Sequence, residues 1–181
     1  MLTFFPYPLL AGCALLLLLL ILNWRRHHSR ARLFFLALFW VYLLLAVRET
    51  LFPFPLQNDA RQPLTWILGH INLRPFYFGG LYGPIPHIAR LEIFGNLLLT
   101  VPFGLLLPLA TRSKISRLPW LALLGGLGFE TAQFILCLVY GGNYRSVDIN
   151  DVILNTAGTL IGYGLFRLFQ LIFKKAIHPP E

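Results

Sequence analysis

Long apolar stretches alternate along this chain with short polar or basic breaks. Apolar runs without interior clusters of charge fall at residues 4–22, 33–52, 93–110, 118–140 and 152–173, each 18 to 23 residues long. At ~1.5 Å of rise per residue, a helix of that length crosses a hydrocarbon layer about 30 Å thick. The pattern predicts an all-α, polytopic integral membrane bundle of five transmembrane helices. It also divides the chain into an N-terminal helix with a basic loop over 1–32, a membrane domain over 33–173 and a short tail over 174–181. Between the second and third runs, Trp66, Phe76, Tyr77, Phe78 and Tyr82 stand among several Gly and Pro residues. Aromatic side chains at that density suit the headgroup zone of a bilayer. Residues 64–73 therefore read as a short interfacial helix in an outer loop, with a re-entrant segment as the other option.

Composition strengthens this picture and removes others. Hydrophobic residues make up 57% and charged residues 12%, whereas a soluble domain carries about 25% charged residues. Lys and Arg outnumber Asp and Glu by 15 to 7, which in a soluble chain would suggest nucleic acid as partner. Here the placement of the charges gives them another meaning. Nine lie on one side of the predicted bundle, at Arg25, Arg26, Arg30, Arg32, Arg112, Lys114, Arg117, Lys174 and Lys175; the other side has Arg61, Arg74, Arg90 and Arg145. Basic residues accumulate in short cytoplasmic loops, so the N-terminus is expected outside and the C-terminus inside. No nucleic-acid partner is expected. Leu10-Ala11-Gly12-Cys13 matches a lipoprotein cleavage box, but the apolar run follows it, the reverse of a signal peptide. Cys13 is thus expected to be an ordinary membrane-helix cysteine. With Cys137 also inside a run, no disulfide framework is expected.

The acidic residues are distributed independently of that assignment, and they fall on one side. Glu49, Asp59, Glu92, Asp148 and Asp151 all lie toward the predicted outer face. Glu92 and Asn96 share a helix face at i, i+4, as do Asp151 and Asn155, while Glu130 and Gln133 share one at i, i+3. Asn96, Gln133 and Asn155 are thereby expected at a common depth on three helices. Glu130 falls next to the midpoint of its run, where an ionisable group costs ~2.5–3.5 kcal/mol on insertion scales and is paired or sits in a polar cavity. Its expected partners are Gln133, Asn96, Asn155, and Arg48 or Arg145 from the outer edge. Gly158 and Gly162 form a GxxxG pair that lets another helix approach closely. Pro102 and Pro108 predict a bent or interrupted third span. No phosphate-binding loop or serine triad is present. Glu92, Glu130, Asp148 and Asp151 would be the oxygen ligands if a metal were held, but no spacing demands one; neither metal nor cofactor is expected.

From Arg48 to about Phe169 the chain resembles the VanZ-like family of bacterial membrane proteins. The resemblance rests on Asn72-Leu73-Arg74-Pro75-Phe76, on Glu92 to Gly104 with Asn96, Pro102 and Phe103, and on Glu130 and Gln133. It continues through Arg145, Ser146, Asp148, Asp151, Asn155 and Gly158, and does not reach residues 1–32. It implies a protein of the bacterial cytoplasmic membrane linked to lowered susceptibility to teicoplanin, a lipid-tailed glycopeptide. It does not supply a reaction. Two functions follow as expectations. In the first, a polar outer-leaflet cavity binds a membrane lipid or lipid-tailed ligand without chemistry, using Arg48, Asn72, Arg74, Glu92, Asn96, Gln133, Asp148 and Asn155 around Glu130. In the second, an intramembrane enzyme acts on a lipid-linked substrate, with Glu130 and Asp151 as acid and base and Arg145 as an anion clamp. A proton pathway through Glu130 is a weaker third reading, because no inverted repeat accompanies it. Oligomeric state is not legible.

Overall fold

The computed structural model describes residues 6–25, 30–51, 61–78, 87–111, 117–141 and 147–177. Six helices follow one another: α1 (Pro6–Arg25), α2 (Arg30–Leu51), α3 (Leu64–Gly69), α4 (His87–Ala110), α5 (Leu118–Tyr140) and α6 (Ile149–Ile177). No strand forms among the described residues, and one isolated parallel bridge joins Asn72 to Asp148. Four segments are long and apolar enough to cross a membrane, at Leu33–Leu51, Arg90–Ala110, Leu118–Tyr140 and Ile149–Phe173. α1 covers the first apolar run but is not one of those four, so the expected count of five becomes four on this measure.

Local chemistry sets the helix ends. α5 opens with Pro119 in its first turn and closes at Gly141, whose φ of 79° is the left-handed conformation that glycine adopts without a Cβ clash. α4 begins at His87, ahead of the apolar run, because its polar first turns continue the hydrogen-bonded ladder beyond the lipid-like residues. It also passes through Pro102 and Pro108 without interruption. Neighbouring helices hold it there: the Tyr42 hydroxyl of α2 donates to the Leu99 carbonyl at 2.8 Å, and α6 packs directly along it.

That α4–α6 contact is the most extensive in the bundle, with α5 against α6, α2 against α4 and α1 against α2. It is a contact between backbones. A Cβ on Gly104 would strike the Thr159 carbonyl, one on Gly158 the Leu97 carbonyl and Thr100 Oγ1, and one on Gly162 the Val101 carbonyl. Lipid tails are as apolar as Leu, so helix association in a membrane relies on close packing, and small residues permit it. The GxxxG pair thus packs within the chain, as expected. Toward the end where α4 finishes and α5 starts, Phe39, Leu106, Leu107, Ala110 and Leu118 form an apolar cluster, with the Phe39 and Phe103 rings 5.5 Å apart. Outward-facing positions are apolar on every long helix, including Leu17, Phe34, Leu98, Trp120 and Leu168.

The helices are not level. Gln133 of α5 bonds Thr50 at the end of α2, and Glu130 bonds Asp148 at the start of α6. Glu130 therefore stands beside the end of α2 and the start of α6, and α5 runs a further ten residues past it, roughly 15 Å. Residues 61–78 lie along that overhang, with the Gln62 N–H on the Gly141 carbonyl at 2.8 Å.

Gly162→Ala should lower stability by about 1–3 kcal/mol, since the Val101 carbonyl cannot yield as a side chain can. Gly164→Ala, which meets nothing within 4 Å, should change it by less than about 0.5 kcal/mol. Reversible unfolding in mixed micelles compares the two.

Candidate functional site

The site is assembled at the start of α6. Asp148 precedes the first helical residue, and its carboxylate accepts the Asn150 N–H at 2.7 Å. This is the capping bond that Asp supplies where a helix has unbonded donors. The same carboxylate receives Asn72 Nδ2 at 2.9 and 3.0 Å. Asn72 is held by its backbone as well, donating to the Val147 carbonyl and accepting from the Ile149 N–H, both at 2.9 Å. Below them the Asp148 N–H donates to Glu130 Oε2 at 2.9 Å. Glu130 is 6% exposed, and its bond is to a backbone amide.

Asn150, 2% exposed, completes the knot. Its Oδ1 accepts the Phe76 N–H at 2.6 Å and its Nδ2 donates to the Tyr77 carbonyl at 2.9 Å. Asn72 supports the same turn, donating to the Tyr77 carbonyl at 3.1 Å and accepting the Arg74 N–H at 3.0 Å. Phe76 has φ 62°, a left-handed conformation that costs a residue with a Cβ roughly 1–2 kcal/mol. The two asparagines hold it there, and Leu73 and Phe76 project outward, both 73% exposed.

Beside the knot, between α2, α4, α5 and α6, lies a cavity of about 340 Å³. It is lined by Glu49, Thr50, Leu91, Glu92, Gly95, Asn96, Leu99, Gln133, Asp148 and Asp151. Asn96 Nδ2 donates to Asp151 Oδ1, tying α4 to α6. Gln133 Nε2 donates to the Thr50 carbonyl at 3.2 Å, tying α5 to α2. The Gln133 Oε1 and Thr50 Oγ1 atoms are buried and accept or donate no hydrogen bond.

Of the residues singled out by sequence, Glu92, Asn96, Gln133, Asp148 and Asp151 meet at this cavity. Glu130 sits immediately behind it, on the Asp148 amide. Asn155 is buried one turn further in, with Oδ1 unpartnered. Asn72 has its side chain engaged in the knot. Arg74 is exposed, its guanidinium 5.9 Å from the Tyr77 ring centroid. Arg48 lies on the rim and pairs with Glu49 at 3.6 Å. Arg145 lies outside the described residues. No group of three His, Cys, Asp or Glu among the described residues is placed to hold a metal ion. Sequence reasoning passed over Asn150 and Thr50. Asn150 had a legible signal, an amide two residues after a capping Asp; Thr50 had none.

Asn150→Ala should cost about 1–3 kcal/mol through the donor and acceptor it leaves unsatisfied, and should abolish hydrogen-exchange protection of the Phe76 amide. Arg74→Ala should leave both within error.

Comparison with known proteins agrees with this placement of motifs. A sequence model of the VanZ/LLP1 family matches residues 39–170, from the middle of α2 nearly to the end of α6. Protein VanZ of Enterococcus faecium is 32% identical over 117 residues, covering 64% of this chain and 63% of that protein. The chain thus spans less than two thirds of that relative's length. No solved structure matches significantly. With a family match running across α4, α5, α6 and the knot that joins them, the chain belongs to the VanZ/LLP1 family of membrane proteins.

Proposed function

We propose that this protein crosses the membrane five times, with its N-terminus outside and its C-terminus in the cytoplasm, and uses the polar cavity at its outer end to bind an amphiphile of the cell envelope. Binding is non-catalytic, and its consequence is lowered susceptibility to a lipid-tailed glycopeptide. The observation that carries this reading is the place of the cavity, where α2 ends and α4 and α6 begin, with carboxylates beside Leu91 and Leu99. A head can sit among the former while its tail runs down the latter. The apolar 20-residue α1 supports a fifth span, and the basic residues beyond α1, α4 and α6 support the orientation.

Residues 61–78 also fit a re-entrant segment. Gln62 is bonded at the outer end of α5, while Asn72 is bonded to the group that reaches Glu130. Eleven residues of helix separate Gly141 from Glu130, about 16 Å. Within that distance the loop descends beside an apolar helix, and its backbone groups find partners in protein, which is the condition for irregular backbone at membrane depth.

Binding without chemistry needs an acceptor at residue 130 and not an ionisable acid. Glu130→Gln should therefore retain at least half of the gain in minimum inhibitory concentration for teicoplanin that the wild type confers on a sensitive host. Glu130→Ala should lose it, because the Asp148 amide is left buried without an acceptor. Complete loss in Glu130→Gln at unchanged membrane level would favour the acid–base enzyme instead, and a new lipid product by mass spectrometry would establish it.

A further inference from the structure

The described cavity lining offers far more acceptors than donors. Four carboxylates face it, from Glu49, Glu92, Asp148 and Asp151, and no Lys, Arg or His is among the lining residues. The amide donors there are already in use, Asn96 Nδ2 on Asp151 and Gln133 Nε2 on the Thr50 carbonyl. Gln133 is 5% exposed, yet its Oε1 accepts nothing. A buried carbonyl oxygen without a donor costs about 1–3 kcal/mol, and Gln133 is one of the residues around a space large enough for a small ligand, for which pockets of roughly 300–1,000 Å³ are usual. Glu92, on the exposed side of the same space, has no partner among the described residues. The Glu92 carboxylate and the Gln133 Oε1 are both acceptors, and a cationic hydrogen-bond donor would match them.

We propose that the cavity recognises a protonated primary amine on the head of an amphiphile, lodged between Glu92 and the Gln133 Oε1. An ammonium group brings three donors and one positive charge, which answers both the unmatched acceptors and the acidic field. An isolated phosphate head would be repelled by the Glu92 carboxylate and would find no Lys, Arg or His among the lining residues. The inference rests on the reading of the cavity as an amphiphile site and narrows it to one head chemistry. Two sources carry that chemistry: a membrane lipid with an amine-bearing head, and a lipid-tailed antibiotic with free amino groups.

The test uses the full chain purified in a neutral maltoside detergent, with binding followed by ligand-induced thermal shift. The probes are dodecylamine, N-dodecylacetamide and dodecyl phosphate, which share a tail and differ in the head. Dodecylamine should bind at least tenfold more tightly than the other two, and Glu92→Gln should reduce that preference severalfold. Nanodiscs with and without phosphatidylethanolamine, and teicoplanin before and after acetylation of its amines, then separate the sources, since only the true source should compete with dodecylamine. Equal binding of amine and amide, or tighter binding of the phosphate, overturns the inference and leaves the amphiphile site standing. A response to millimolar calcium without one to dodecylamine overturns it in favour of a metal. Binding of none of the probes removes the amphiphile site as well.

Discussion

A carboxylate on one helix and the first amides of another hold one end of this bundle together. Glu130 accepts the Asp148 N–H, and Asp148 in turn accepts from Asn150 and Asn72. The start of α6 is thereby bonded to α5 below and to the outer loop above. The first N–H groups of a helix have no intrahelical acceptor, and in a low-dielectric setting each must find one or carry a desolvation cost. Asp148 and Glu130 supply acceptors from opposite sides. The cavity, the strained turn at Phe76 and the register of residues 72–77 all follow from where that helix end is fixed.

The rest of the bundle is arranged so that this end stays in place. α4 and α6 meet through Gly104, Gly158 and Gly162 with backbone against backbone, which leaves little freedom for one to slide along the other. Several helical Thr hydroxyls, though not that of Thr50, bond to the carbonyl four residues back, as in Thr100 to Asn96 and Thr159 to Asn155. They need no interhelical partner and leave the polar ties to a few residues at this end. Aromatic packing around Phe39 and Phe103 closes the opposite pole. The molecule is apolar and tight at one end and polar and open at the other.

Much of the architecture is legible in the sequence because a membrane imposes simple patterns. Run length gives the long helices, and the outer and inner limits of α5 coincide with those of its run. Spacing at i, i+4 puts Glu92 and Asn96 on one face of α4, and both line the cavity, whereas the contact of Asn96 with Asp151 and not Asn155 comes only from the structure. What runs of hydrophobicity do not carry is vertical offset. Glu130 reads as central because it is central in α5, and only its bond to Asp148 reveals that α5 is displaced along its axis relative to α6. Nor does a motif distinguish a residue that faces a ligand from one that holds the loop. Asn72 reads as a binding residue but has its amide engaged with Asp148, Tyr77 and Arg74. Asn150 reads as unremarkable and is among the most buried polar groups. Both depend on pairings 73 to 76 residues apart in sequence, which no local pattern encodes.

That separation has a consequence for biogenesis. Ribosomes extend a chain by roughly 5–20 residues per second, so Asn72 emerges some 4–15 s ahead of Asp148. Through that interval the outer loop has none of the α6 groups that later order it, and α4 lacks the glycine-bearing helix against which it rests. The chamber is a product of the last stage of synthesis. A chain halted before residue 147 would already possess most of its apolar helices and still lack the α6 side of the cavity.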